Sequence, residues 1–228
     1  MRQKSAGNDT ADLAASKRFG QYKKEEQKPV REPDIKGHDE KKVEQLLEIY
    51  QKIRLPDGDI EENDAEYYGM VLKSLRNINC SEFDVSVLCR KLANYQNDFE
   101  SYIKSGLVLS ALINSSRRDG FLINSEENPF LIMLGYNNTK KITVIGDVDG
   151  LLGFKMRDGE IHVIGNAEDQ LGYRMEGGRI IIDGNAGVEI GFGMHGGEIH
   201  VNGELGDCDE GSIYGGKIFH KGKLIVNM

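Results

Sequence analysis

Between residues 141 and 228 the chain repeats itself every 19 residues, and that period limits what it can fold into more than any other feature. Gly146, Gly165, Gly184, Gly203 and Gly222 keep the step, as do Ile142, Ile161, Ile180, Ile199 and Ile218. Val144, Val163, Ile182 and Val201 hold a second phase, with His220 in the fifth place. Met156, Met175 and Met194 hold a third, with Ile213 in the fourth place. A short, strict period marks a solenoid, in which no unit can bury its apolar face alone and each relies on the next.

The wording of each unit selects the kind of solenoid. Every unit opens on a short alternation such as Ile161-His162-Val163 or Ile199-His200-Val201, which places one row of side chains inward and one outward. A glycine follows, then a second short run such as Leu171-Gly172-Tyr173-Arg174-Met175, then a turn such as Glu176-Gly177-Gly178. No unit holds a run long enough for a helix, so the spacing predicts coils of a parallel β-helix. Equivalent residues then stack about 4.8 Å apart, forming Ile, Val and Met ladders and an aromatic ladder of Phe154, Tyr173 and Phe192. Burial in such ladders contributes roughly 25 cal/mol per Å², which offsets ordering entropy only when several coils stack.

Units such as Gly184-Asn185-Ala186-Gly187-Val188-Glu189-Ile190-Gly191-Phe192-Gly193-Met194 resemble the GXGXG family. That family forms the C-terminal domain of the glutamate synthase large subunit and also one of the subunits of formylmethanofuran dehydrogenase. The resemblance covers residues 120–228 and implies a right-handed β-helix that serves as a scaffold beside catalytic domains. It departs from the pattern at Lys155 and Arg174, where the third unit has Gly193, and the chain carries nothing similar to the amidotransferase, flavin or iron–sulfur regions.

Twenty of the 28 glycines lie in residues 141–228, which sets the repeats apart from what precedes them. Residues 1–31 carry eight basic and four acidic side chains, a balance of +4 within a chain of net charge -8, so the remainder stands at -12. A segment this polar cannot bury enough surface to fold alone, and we read residues 1–38 as a disordered basic tail. Residues 39–119 read as four helices. Asp39 caps the first, whose Val43, Leu46, Leu47, Tyr50 and Ile53 share a face, and Leu55-Pro56-Asp57-Gly58 stops it. The second is expected from about Asp64 to Asn77, burying Tyr68, Val71, Leu72 and Leu75. Ser81 and Asp84 form a capping box for the third, with Phe83, Val87, Leu88 and Leu92 apolar. The fourth, about Asn97 to Asn114, is apolar on most sides, with Gly106 and Ser110 leaving a small face for close approach. Gly120-Phe121-Leu122-Ile123-Asn124 then reads as the first strand, opening an irregular first coil in which Leu134-Gly135-Tyr136 matches Leu152-Gly153-Phe154.

The chemistry-bearing residues point mainly to structure. Gly191-Phe192-Gly193-Met194-His195-Gly196 fits a dinucleotide fingerprint in spelling, but sits inside a repeat with no following helix, so turn glycines are expected. His162 and His200 fall two coils apart, about 10 Å, too far to share a metal. Asp147, Asn166, Asn185 and Glu204 follow the strand glycines, where a turn or left-handed backbone is expected. Asp207, Asp209 and Glu210 stand where an earlier unit has Asp169, Leu171 and Gly172, so Asp209 breaks the apolar ladder; a cation site there is the sharper reading and a frayed late coil the plainer one. Cys80, Cys89 and Cys208 are odd in number and lack zinc spacing, so free buried thiols and a cytoplasmic setting are expected. Net negative charge disfavours nucleic acid, and no apolar run approaches the ~20 residues of a membrane span.

We therefore expect an α + β chain, an N-terminal helical domain followed by a right-handed parallel β-helix over residues 120–228, with no catalytic, cofactor-binding or metal-ligating set. Lys155, Arg157, Arg174 and Arg179 are a candidate anion or partner patch. Leu224, Ile225 and Val226, in an apolar stretch with no cap written after it, are a candidate contact edge for a second copy or another subunit. Three functions are weighed: a non-catalytic scaffold or protein-interaction protein; an accessory subunit of a glutamate synthase-like or formylmethanofuran dehydrogenase-like oxidoreductase, which rests on the resemblance; and an enzyme using a crevice between helices and solenoid.

Overall fold

A computed structural model describes residues 38–56, 58–128 and 130–228. The basic segment at residues 1–37 lies outside the described residues. Among the described residues four helices, α1 (Glu40–Lys52), α2 (Ile60–Ser74), α3 (Glu82–Leu92) and α4 (Phe99–Ser115), precede seven strands. The strands are β1 (Gly120–Asn124), β2 (Lys141–Ile145), β3 (Glu160–Ile164), β4 (Arg179–Ile182), β5 (His195–Val201), β6 (Gly215–His220) and β7 (Lys223–Asn227). They form one sheet in chain order, parallel from β1 to β6. The chain is thus α + β, helices followed by a parallel β-helix, as the 19-residue period requires. None of the described helices is long and apolar enough to cross a membrane.

The ladders set the register. Phe121, Ile142, Ile161, Ile180, Ile199 and Ile218 are successive partners across the sheet. The five isoleucines are fully buried, and so are Met156, Met175 and Met194. The ladder isoleucines explain a glycine in each earlier run. A Cβ on Gly153 would stand 2.6 Å from Ile180 Cδ1, and one on Gly172 would stand 2.6 Å from Ile199 Cδ1. Each isoleucine fills the space over a bare glycine of the preceding coil, so the two positions must repeat together. A second stack of bridges runs through Val148, Ala167, Ala186 and Leu205.

Asp147, Asn166, Asn185 and Glu204 also form a ladder, but not through left-handed backbone. Asn166 N–H donates to Asp147 Oδ1 (2.8 Å), Asn185 N–H to Asn166 Oδ1 (2.8 Å) and Glu204 N–H to Asn185 Oδ1 (2.7 Å). Each side chain satisfies a backbone donor one coil further on. The left-handed positions fall elsewhere: Leu151, Gln170 and Glu189 form one row, and Lys155, Arg174 and Gly193 another, with φ of 53°, 51° and 68° in the latter. Of the glycine spelling at 191–196, Gly191 and Gly193 are left-handed turn positions, as expected, while Gly196 already lies in strand β5.

The helices form as their caps dictate. Asp39 and Ser81 cap α1 and α3, and the Ser81–Asp84 box is complete. Helix α2 begins earlier than the sequence indicated, because Asp59 is its cap, accepting from Glu61 N–H and Glu62 N–H. Its buried face is turned accordingly: Asp64 and Tyr67 point inward, while Leu72 is half-exposed. In α3, Val85 is buried and Phe83 only partly so. Asp84 joins two helices, since its carboxylate also accepts from Asp39 N–H (2.7 Å) and faces Lys42 Nζ at 3.6 Å. Burial raises the Asp84 pKa, but these hydrogen bonds and Lys42 outweigh it and the net shift is downward. A depressed folded value means that the contribution is complete above the unfolded carboxylate range and is lost as pH falls through the folded pKa. Asp84→Ala should cost about 2–3 kcal/mol at neutral pH, and urea midpoints measured against pH should show a shallower acid limb in the variant.

The end of the solenoid corrects one expectation. Lys221 and Gly222, with φ of 50° and 75°, turn the chain back so that β7 runs antiparallel to β6. The apolar stretch is therefore a hairpin arm over the last parallel strand rather than a further coil. Val226 is 4 % exposed and belongs to the core, Ile225 is half-buried, and Leu224 is exposed. At the other end, α3 lies against β1, and Cys89 Sγ approaches Asn124 O at 3.7 Å. Helix α4 packs on the first coil through Gly106 and Ser110. The helices and solenoid share one continuous core.

Candidate functional site

The four cations of the candidate patch lie on neighbouring coils, and each has an acidic partner in this chain. Lys155 Nζ lies 2.6 Å from Asp64 Oδ2, and Arg174 Nη2 lies 3.9 Å from Glu61 Oε2. Arg157 faces Glu176 at 3.7 Å and Arg179 faces Glu198 at 2.9 Å. Two of the four thus meet α2, and the patch is in part the seat of that helix. Sequence reasoning missed Glu61 and Asp64 because it started α2 at about Asp64, which left Glu61 outside the helix. With the cap at Asp59, both acids project from the first two turns toward the solenoid.

The seat is an aromatic ladder four rungs long, Tyr136, Phe154, Tyr173 and Phe192, with successive centroids 5.6, 5.3 and 5.2 Å apart. The Tyr136 hydroxyl donates to Asp64, whose carboxylate is thereby held between the phenol and Lys155. The Tyr173 hydroxyl donates to Glu61 Oε2 at 2.5 Å. Asn114 Nδ2 donates both to the Tyr68 hydroxyl and to Tyr136 O, each at 2.9 Å. Burial, then Asp64, pushes the Tyr136 phenol well above its ordinary value; burial, then Glu61, pushes Tyr173 up to about 12. Both therefore remain protonated donors at neutral pH. Asp64 and Tyr136, where α2 meets the first coils, are almost fully buried.

On the outward face of the strands, Lys141, Glu160, Arg179, Glu198 and Lys217 alternate in sign along successive register positions. Lys141 and Glu160 stand 2.9 Å apart. The same 19-residue step would have revealed this ladder in the sequence. His162 and His200 are two coils apart with Ile181 between them, as expected. His162 Nε2 contacts Asp183 at 3.1 Å, while His200 contacts Glu198 at 3.2 Å and stacks on Phe219 at 4.4 Å. Among the described residues, no group of three or more His, Cys, Asp or Glu is arranged to hold a metal ion. Burial pushes the thiols of Cys80 and Cys89 up to about 11 and about 12, which leaves them protonated and poorly nucleophilic.

The last coils differ from the rest. Where earlier units continue with Leu or Ile, then Gly and an aromatic ring, this one reads Asp209-Glu210-Gly211, and the stretch folds as a short 3-10 turn, Glu210–Ser212. Asp209 caps that turn, accepting from Gly211 N–H and the Ser212 hydroxyl. A groove of about 380 Å³ opens beside it, lined by Val188, Glu189, Ile190, Phe192, Asp207 and Asp209. Asp207, Asp209 and Glu210 are thus placed together at an acidic, partly apolar edge.

Geometry and repeat define a β-solenoid whose first coils are covered by helices. No protein-family model, curated protein or solved structure matches the chain.

Proposed function

We propose that the protein is a non-catalytic scaffold that engages a protein partner, or a second copy of itself, through the last coils of the solenoid, in a cytoplasmic setting. The observation carrying this reading is the uneven distribution of exposed apolar side chains. Of eight large exposed hydrophobics among the described residues, five fall in residues 188–228: Val188, Phe192, Tyr214, Leu224 and Met228. Helices α3 and α4 cover the opposite end, so the rigid stack is closed on one side and apolar on the other. Exposed apolar surface gathered in one region marks association more often than scattered side chains do.

Purification of the full chain from its native source, with identification of whatever elutes with it, tests the reading. Light scattering on the purified chain gives the homo-oligomer arm. Leu224→Lys should weaken association while leaving thermal stability within about 0.5 kcal/mol, because Leu224 is exposed. By contrast, Val226→Lys should destabilise the fold, because Val226 belongs to the core. A monomer with no native partner in either preparation would overturn the proposal. The second reading, an accessory subunit of a glutamate synthase-like or formylmethanofuran dehydrogenase-like oxidoreductase, is favoured by the GXGXG-like repeat and would be supported by co-purifying redox subunits.

A further inference from the structure

The aromatic ladder carries a cation beside two of its rungs. Lys155 Nζ lies 5.3 Å from the Phe154 centroid, and Arg174 Cζ lies 5.3 Å from the Tyr173 centroid. The equivalent residue beside Phe192 is Gly193, which holds the same left-handed backbone but has no side chain. One coil further on, Gly211 stands where the next ring would be, and Phe192 is 38 % exposed. The uncompensated ring forms one wall of the groove, and Glu189, Asp207 and Asp209 supply carboxylates around it. From Ile180 to Gly216 the chain has seven acidic residues and no lysine or arginine, so the stretch that forms the groove carries net negative charge.

We propose that this groove binds an arginine or lysine side chain from a cationic peptide segment of a protein partner, with aliphatic neighbours of that residue resting on the exposed Val188. The incoming cation would stand beside the Phe192 ring, as Lys155 and Arg174 stand beside Phe154 and Tyr173. It gains the attraction of the Phe192 ring and of the carboxylates at once. This deepens the scaffold reading and rests on it.

The probe is a fluorescein-labelled peptide of alternating arginine and leucine, titrated into the full chain by anisotropy, with the glutamine–leucine peptide as control. The arginine peptide should bind and weaken with added salt, whereas the control should not bind. Gly193→Lys supplies the missing cation in cis. Lys155 and Arg174 already adopt its backbone angle, and the new Cβ would stand 3.0 Å from Arg174 Cγ, a flexible neighbour. That variant should keep its thermal midpoint and bind about tenfold more weakly or worse. Asn202→Lys, which adds the same charge outside the groove lining, should bind as wild type does. Asp207→Asn should weaken binding without altering the fold, which keeps the proposal testable if Gly193→Lys misfolds. Equal binding by Gly193→Lys and wild type overturns it, as does no binding of the arginine peptide. Binding only after the basic residues of 1–31 are replaced by glutamine would assign the groove to this chain's own segment, and a dimer dissolved by the peptide would assign it to a second copy; either also overturns it. Failure of the peptide to bind leaves the scaffold reading standing, since native co-purification and light scattering decide that reading.

Discussion

Ile180→Asp should leave the solenoid unfolded at neutral pH, with circular dichroism and thermal scans showing no cooperative transition. Ile180 is fully buried, pairs with Ile161 and Ile199 in the sheet, and fills the space over Gly153. Removing its side chain alone leaves a cavity, at about 2–5 kcal/mol for an isoleucine truncated to alanine. The carboxylate adds the penalty of an uncompensated buried charge, again several kcal/mol. The sum is comparable to the total stability of an ordinary domain, about 5–15 kcal/mol. Since each coil contributes through its neighbours, the loss also uncouples the coils on either side. Ile180→Val is the matched control, expected to cost about 0.5–1.5 kcal/mol. Wild-type stability in the Asp variant would mean that the isoleucines do not form a buried ladder.

The solenoid was legible because its contacts are repeats of one local pattern. Strands, inward rows and coil spacing all follow from residues that recur in phase. The ladder logic also misled at the last unit. Gly222 continues the glycine phase, so the stretch after it looks like another coil, yet Lys221-Gly222 forms a two-residue hairpin turn. In the Asn166 ladder, the side chain serves the next coil's backbone, which reading one unit at a time does not show. The candidate patch was found as four cations; Glu176 and Glu198 follow Arg157 and Arg179 by the 19-residue step, but the partners of Lys155 and Arg174 come from tertiary placement. Nothing local in Glu61 or Asp64 says that α2 will lie over Tyr136 and Tyr173. The groove was half visible: Asp209, between Asp207 and Glu210, broke the ladder, but only the stacking of Phe192 on Tyr173 shows which surface that break uncovers.

Gly106→Ala should destabilise the protein, although alanine is the better helix former. In an exposed helix interior, exchanging glycine for alanine gains roughly 0.5–1 kcal/mol. At Gly106 a Cβ would stand 1.9 Å from Ile132 O and 2.8 Å from Ile132 C, so either α4 or the first coil must move. The neighbour is backbone and cannot turn aside as a side chain would. Ser110, one turn on, fixes the same contact: its Oγ accepts from Gly135 N–H at 2.9 Å and from Tyr136 N–H at 3.2 Å. Displacing α4 would strand those buried donors, at about 1–3 kcal/mol each. The net expectation is a loss of about 2–4 kcal/mol, and more for Gly106→Val, with Tyr136 drawn out of the aromatic ladder. Gly69 in α2 is the internal control, because a Cβ there meets nothing within 4 Å. Gly69→Ala should therefore stabilise by about 0.5–1 kcal/mol. Urea denaturation of the two alanine variants side by side reads the docking of α4 from the sign alone. Stabilisation by both would show that α4 does not sit against the first coil.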